Sequence, residues 1–243
     1  MNIRHLFQWL ALVALVMTTT LLAPASSAHA QEELFLPVIM RPGAAGDGSG
    51  DSCNIANLLE DGSFETGTPP WKQITGGYPI VQEDADALDG IKLAWFGGYN
   101  NANDRLVSTP FEVPAACKAL RIVLHLNISS QEVLNEPYDY LYASLQPAGD
   151  VVNPEVMVAN NTDDCNTCKW ARYTYVYNEV PNRGQPLQLR FYGKTDSSRH
   201  TNFLVDLVSI EASDTPFAAA AGTGWRREEI NALAVTPETV RSR

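Results

Sequence analysis

Apolar and polar residues alternate along the middle of the chain with the period of two that a half-buried β-strand requires. The clearest case is residues 120–128, where leucine or isoleucine at even positions alternates with arginine, valine, histidine and asparagine at odd positions. The same alternation recurs in residues 138–145, with tyrosines on one side, and in residues 187–192. Each stretch is predicted to be a strand that turns one face toward a core.

Residues 90–107 form the most informative single stretch. An apolar run with Trp95 and Phe96 stops at two glycines, passes through residues rich in asparagine, and returns as an apolar segment at 105–107. Glycine and asparagine tolerate the positive φ angles of tight turns, so two strands and a turn are predicted. Trp71 and Trp95 are both expected in the core.

The wider pattern predicts the fold class. Further strands are expected at residues 79–82, 151–158, 170–177 and 203–210. Many short strands separated by turn residues, with no long amphipathic helix among them, indicate one all-β antiparallel sandwich over residues 53–212. A chain of 243 residues needs no second domain.

The N-terminus has the layout of a secretory signal. Residues 1–30 combine a basic start, an apolar middle and a small-residue end at Ala28 and Ala30, which predicts cleavage after Ala30 and an extracellular protein. The alternative, a membrane anchor, is disfavoured because threonines at 18–20 leave the run short of the roughly 20 apolar residues of a span.

Flexible tails are predicted on both sides of the sandwich. Residues 31–52 hold an extended apolar segment and then a Gly/Ser/Asp linker. Residues 213–243 change to an Ala/Gly-rich composition, and we expect this tail to be mostly disordered. Residues 225–234 could form one or two helical turns, but no apolar face there is long enough to fix them.

The charge narrows the range of partners. The net charge is −11, and removal of residues 1–30 takes away only the basic Arg4, which leaves −12. Such a surface repels nucleic acid and anionic lipid, so neither nucleic-acid binding nor membrane insertion after signal cleavage is expected.

The four cysteines, an even number in an exported chain, favour two disulfides. Three pairings are possible. We expect Cys53–Cys117 to tie the start of the domain to the sheet and Cys165–Cys168 to clip a loop. The alternative, half a zinc site or a redox pair at Cys165 and Cys168, lacks a second such motif and a βαβ pattern.

Several motifs resemble those of a known family. Residues 57–65 read NLLEDGSFE and are followed by Trp71; residues 89–104, 138–142, 189–196 and 201–210 continue the likeness. Together they resemble galactose-binding-like jelly rolls, which include carbohydrate-binding modules and accessory domains of secreted bacterial peptidases and glycosidases. The resemblance implies an antiparallel jelly-roll β-sandwich.

The resemblance also implies a structural calcium ion. In such modules the glutamate of the opening motif and an aspartate of the closing strand commonly bind calcium, and Glu65 and Asp206 match these positions. Leu207 stands where many relatives have a second acid, which removes one oxygen from the expected ligand set.

Carbohydrate is the first candidate ligand. Aromatic faces pack on sugar rings, while amides and hydroxyls bind the sugar's hydroxyl groups. The tyrosines of residues 138–142 are expected on one sheet face, although tyrosine is also common on solvated strands. The asparagines after Gly98 could bind sugar or simply form the turn. The candidate ligand-binding residues are Tyr138, Tyr140, Tyr142, Tyr192, Asn100 and Asn101.

Two other classes of function remain open. A hydrolase would need catalytic groups, and the sequence has neither a GxSxG nor an HExxH motif, so no enzyme activity is expected. An extracellular structural or protein-interaction domain, associated with a secreted peptidase, would use the same fold.

Overall fold

The computed structural model describes residues 52–133, 135–149, 154, 156–164, 170–218 and 224–230. Residues 1–51, including the predicted signal peptide and linker, lie outside the described part. Within it, strands and one short 3-10 helix alternate with turns. The elements are β1 (Asn54–Ile55), β2 (Lys72–Ile74), β3 (Val81–Glu83), β4 (Lys92–Gly97), β5 (Asn103–Val107), β6 (Ala119–Ser130), β7 (Tyr140–Pro147), β8 (Met157–Asn160), the 3-10 helix (Asn161–Asp163), β9 (Ala171–Tyr177), β10 (Leu187–Lys194), β11 (Thr201–Ser213) and β12 (Arg226–Glu229).

The strands form two antiparallel sheets. One sheet has the order β12-β9-β6-β11-β4-β3, with β1 also paired to β11, and the other has the order β2-β5-β10-β7-β8. The strands β4 to β11 therefore divide into a β4-β11-β6-β9 layer and a β5-β10-β7-β8 layer, the double Greek key of a jelly roll. The predicted fold class, an antiparallel jelly-roll β-sandwich, is confirmed.

Aromatic side chains connect the two layers inside the sandwich. Trp71 is buried, with its ring centroid 5.2 Å from that of Phe64 and 6.3 Å from that of Phe191. Phe96 of β4 lies 5.7 Å from Phe191 of β10. The expected core position of Trp71 is confirmed.

The expected core position of Trp95 is wrong. Successive residues of a strand point to opposite faces, and Ala94 and Phe96 occupy the inward positions of β4. Trp95 is half-buried on the outer face, where its Nε1–H donates to Asn202 Oδ1 at 3.0 Å. The run of apolar residues hides this alternation in the sequence.

The C-terminal segment also departs from expectation. The strand β12 pairs with β9, with Arg226 opposite Thr174, within the tail that was predicted to be mostly disordered. Trp225 supplies the anchor, because its ring lies 5.5 Å from that of Tyr175 and packs against the core. No helix in the described part of the chain is long and apolar enough to cross a membrane.

One predicted disulfide is confirmed. Cys53, just before β1, is bonded to Cys117, just before β6, across 64 residues of sequence. The second predicted pair, Cys165 and Cys168, lies outside the described residues.

Candidate functional site

The outer face of the five-stranded sheet brings several predicted residues together. Tyr142 of β7 lies directly opposite Tyr192 of β10, and Tyr192 lies directly opposite Arg105 of β5. Paired residues of neighbouring strands point to the same face. The row continues to Ile74 of β2 and to Met157 of β8, both exposed. One row of outward side chains thus crosses all five strands.

Three tyrosines, Tyr140, Tyr142 and Tyr192, form what we call the tyrosine strip. The ring centroids of Tyr140 and Tyr142 are 5.9 Å apart with an interplanar angle of 26°, and those of Tyr142 and Tyr192 are 5.9 Å apart with an angle of 22°. The guanidinium carbon of Arg105 lies 5.2 Å from the centroid of Tyr192. A continuous aromatic surface therefore ends at a cation.

Alternation in β7 and β10 places the strip outside. Leu141 and Ala143 of β7, like Phe191 of β10, point into the core, so the tyrosines between and beside them point outward. The register between β7 and β10 then places Tyr142 beside Tyr192. The sequence predicted a shared face for Tyr138, Tyr140 and Tyr142, with Tyr192 beside them; the structure brings Tyr140, Tyr142 and Tyr192 together, whereas Tyr138 precedes the strand.

The phenol group of Tyr142 remains neutral around pH 7. Burial raises the pKa of Tyr142, and the neighbouring hydroxyls of Tyr140 and Tyr192 raise that pKa further. The hydroxyl of Tyr140 donates to the carbonyl oxygen of Pro137 at 2.8 Å, which orients its ring. A neutral phenol both donates and accepts hydrogen bonds, as a sugar hydroxyl does.

Lys194 and Arg105 were missed by the sequence reasoning. Lys194 lies two residues beyond Tyr192 on the same face, directly opposite Tyr140. The outward positions of β10 follow from its period of two. Their meeting with β5 and β7 depends on strand pairing over long sequence distances, which the pattern does not specify.

Tyr138 stands apart from the strip. It precedes β7, is 39% exposed, and makes no ring contact among the described residues. Its backbone N–H donates to Asn161 Oδ1 at 2.7 Å.

Asn100 and Asn101 serve the turn between β4 and β5. Asn101 has a φ of 60°, and its N–H donates to the carbonyl oxygen of Asp196 at 2.6 Å. The amide of Asn100 donates to the carbonyl oxygen of Ser197 at 3.1 Å. Both residues thus join this turn to the loop after β10, and neither lies on a strand that carries the tyrosine strip.

Glu65 and Asp206 hold the loop between β3 and β4. Glu65 Oε1 accepts from the N–H groups of Ile91 and Lys92 at 3.0 and 2.7 Å. Asp206 Oδ2 accepts from the N–H groups of Leu88 and Asp89 at 2.8 and 3.0 Å. Burial raises the pKa of Asp206 to about 6, against the opposing effect of these hydrogen bonds.

The donors around these carboxylates do not fit a calcium ion. Calcium needs six to eight oxygen ligands, whereas backbone N–H groups already occupy Glu65 Oε1 and Asp206 Oδ2. The ammonium group of Lys92 also lies 2.8 Å from the carbonyl oxygen of Glu65. Among the residues described, no three carboxylate, histidine or cysteine side chains are grouped to hold a metal. Calcium binding stays a prediction.

Comparison of the sequence with protein-family models and with curated proteins gave no match. Among solved structures, the module TmCBM61 in complex with β-1,4-galactotriose matches with a TM-score of 0.44 and 14% identity, over 63% of this chain and 97% of that chain. TmCBM27, a carbohydrate-binding module studied for mannan recognition, matches with a TM-score of 0.39 and 14% identity, over 65% and 98%. The K3 cleaved adhesin domain of Lys-gingipain from Porphyromonas gingivalis matches with a TM-score of 0.39 and 16% identity, over 65% and 98%. These are likenesses of fold.

Proposed function

We propose that this protein is an extracellular, non-catalytic carbohydrate-binding module whose site is the outer face of the five-stranded sheet. The observation that supports this function is the tyrosine strip, three aromatic rings in contact where a solvated sheet face is ordinarily polar. Aromatic carbon packs against the C–H faces of sugars, and the phenol hydroxyls bind their hydroxyl groups.

The side chains of the tyrosine strip are also preorganised for binding. Its tyrosines are half-buried by one another, and Tyr140 is held by its hydrogen bond to Pro137. A side chain that is already ordered loses less conformational entropy when a ligand binds. Binding by this face therefore costs little reorganisation.

Affinity electrophoresis on a panel of polysaccharides tests the proposal. We expect retention by at least one polysaccharide, and a loss of affinity of about tenfold or more in Tyr142→Ala, equal to about 1.4 kcal/mol. Tyr142→Phe should keep most of the affinity if packing dominates. Phe217→Ala is the matched control. Phe217 contacts Arg121 of the other sheet in the way that Tyr192 contacts Arg105, so this variant removes an aromatic ring next to an arginine outside the proposed site.

The outcomes separate two functions. Retention that Tyr142→Ala abolishes and Phe217→Ala leaves intact supports carbohydrate binding at this face. No retention on any polysaccharide contradicts the proposal and favours an extracellular structural or protein-interaction domain associated with a secreted peptidase.

A further inference from the structure

Three solvent-accessible cations surround the tyrosine strip, and we call them the cationic rim: Lys72, Arg105 and Lys194. A fourth cation, Arg190 of β10, also holds an outward position but is buried and donates to the carbonyl oxygen of Pro147 at 3.2 Å. Arg105 lies directly opposite Tyr192, and Lys194 directly opposite Tyr140. Lys72 lies on β2, two residues from Ile74 and on the same outward face. Both lysines are exposed, and Arg105 is half-buried. Cations thus flank the aromatic surface on two sides.

Within the described parts of the five strands, no outward position holds aspartate or glutamate; Asp104 of β5 points inward and is 1% exposed. The two ion pairs found among the described residues, Arg121–Glu211 and Arg172–Glu228, both belong to the other sheet. Lys72 and Lys194 take part in neither.

Three loop carboxylates at the Tyr140 end accept hydrogen bonds from backbone N–H groups. Asp139 is fully buried, and its Oδ1 accepts from the N–H of Asp196 at 2.8 Å. Asp163 Oδ2 accepts from the N–H of Asn160 at 2.9 Å, and Asp164 Oδ2 from the N–H of Ser130 at 2.8 Å. These hydrogen bonds hold the three carboxylates to the backbone.

This distribution is unusual for so acidic a chain. The protein has 28 acidic and 17 basic residues, so a face with three solvent-accessible cations and no outward carboxylate on the described parts of its strands differs from the overall composition. Opposite charge on a ligand would be attracted locally although the net charge of the protein repels it. A neutral ligand would gain no favourable electrostatic interaction from these cations, whereas an anionic ligand would.

We propose that the ligand of the tyrosine strip is an anionic polysaccharide, with sugar rings on the tyrosines and acidic groups at the cationic rim. This inference rests on the proposed function. The ammonium groups of Lys72 and Lys194 act as point charges for these acidic groups. Carboxylate and sulfate share the chemistry required.

Matched ligands that differ only in charge test this. Affinity electrophoresis compares polygalacturonate with its methyl ester, and dextran sulfate with dextran. We expect the wild-type protein to bind the charged member of at least one pair about fivefold or more tightly, and to lose that preference as salt is added. The first pair reports a carboxylate ligand and the second a sulfate ligand.

Three variants locate the effect. Lys72→Gln/Lys194→Gln should remove the preference for the charged polymer while leaving binding to its neutral partner unchanged. Lys118→Gln removes one exposed cation outside the face and should leave the preference intact. Tyr142→Ala should weaken binding to both members of a pair. Circular dichroism and melting temperatures confirm that each variant is folded.

Each other result overturns a distinct statement. Equal binding to charged and neutral polymers, lost in Tyr142→Ala, overturns the anionic ligand and keeps carbohydrate binding. Retention of charged polymers that survives Tyr142→Ala, or that falls equally in Lys118→Gln, is general electrostatic adsorption and overturns the assignment to this face. No binding to any polymer overturns the proposed function as well.

Discussion

His125 of β6 lies in an environment that disfavours its protonated form. It lies opposite Arg172 of β9 and opposite Asp206 of β11 on the outer face of the larger sheet. Burial lowers its pKa below 6.5, the positive charge of Arg172 lowers it further, and a hydrogen bond to the backbone of Leu207 opposes both. Its Nδ1 is buried and has no hydrogen-bond partner among the described residues. The folded protein therefore favours neutral His125.

This predicts that His125 contributes a loss of stability in acid, while Asp206 opposite it, whose pKa is raised to about 6, contributes with the opposite sign in both proteins compared below. The unfolded chain takes up the proton first as the pH falls below 6.5, so the stabilising contribution present above that pH is lost below it. Urea unfolding at pH 7.5 and 5.5 should show a larger loss for the wild-type protein than for His125→Gln. His200→Gln controls for the removal of a histidine. An equal pH effect in wild-type protein and His125→Gln would contradict the prediction.

At the scale of elements, the loop between β3 and β4 depends on two carboxylates. Asp206→Ala leaves the N–H groups of Leu88 and Asp89 without their acceptor and should lower the free energy of unfolding by about 3 kcal/mol or more. Glu65→Gln keeps an Oε1 acceptor and should change it little.

A chelator distinguishes this role from calcium binding. If the carboxylates serve the loop amides, the melting temperature is the same with and without chelator, in the wild-type protein and in Glu65→Gln. A fall in the wild-type melting temperature on chelation, absent in Glu65→Gln, would support the predicted calcium ion and contradict the amide role.

The strand β12 depends on one aromatic residue. Its own side chains are exposed, whereas Trp225 packs on Tyr175 at the edge of the core. Trp225→Ala should lower the free energy of unfolding by about 2 kcal/mol, since a large apolar contact is lost. Glu228→Ala removes only an exposed ion pair with Arg172 and should cost less than about 1 kcal/mol. Equal effects of the two substitutions would show that Trp225 does not anchor the strand.

The sequence predicts elements better than their partners. The alternation of apolar and polar residues located β6, β7 and β10, because one face of each strand is buried along its length. It could not reveal β12, whose four residues are all exposed. It placed the tyrosines outward but not Arg105 beside Tyr192, since that contact comes from the β5–β10 register. Binding sites that combine residues from several strands are therefore the feature that is hardest to predict from such a sequence.

At the scale of the whole molecule, the disulfide closes the sandwich where the chain enters and leaves it. Cys53 precedes β1, and its carbonyl oxygen accepts from the N–H of Asp214 at 2.9 Å, just after β11. Cys117 precedes β6, and the N–H of Lys118 donates to the carbonyl oxygen of Ser213 at 2.7 Å. The bond thus joins the starts of β1 and β6 next to the end of β11.

Breaking this bond should affect stability without affecting binding. A closed loop of 64 residues restricts the unfolded chain by about 4 kcal/mol in the chain-entropy model, so Cys53→Ser/Cys117→Ser should lower the free energy of unfolding by about that amount. Cys165→Ser/Cys168→Ser, which would open a loop of only a few residues, should lower the free energy of unfolding by about 2 kcal/mol if that pair is bonded.

Because the tyrosine strip lies on β7 and β10, the folded Cys53→Ser/Cys117→Ser protein should keep its polysaccharide retention at low temperature. Loss of retention in a variant that remains folded would mean that the domain entrance shapes the binding face.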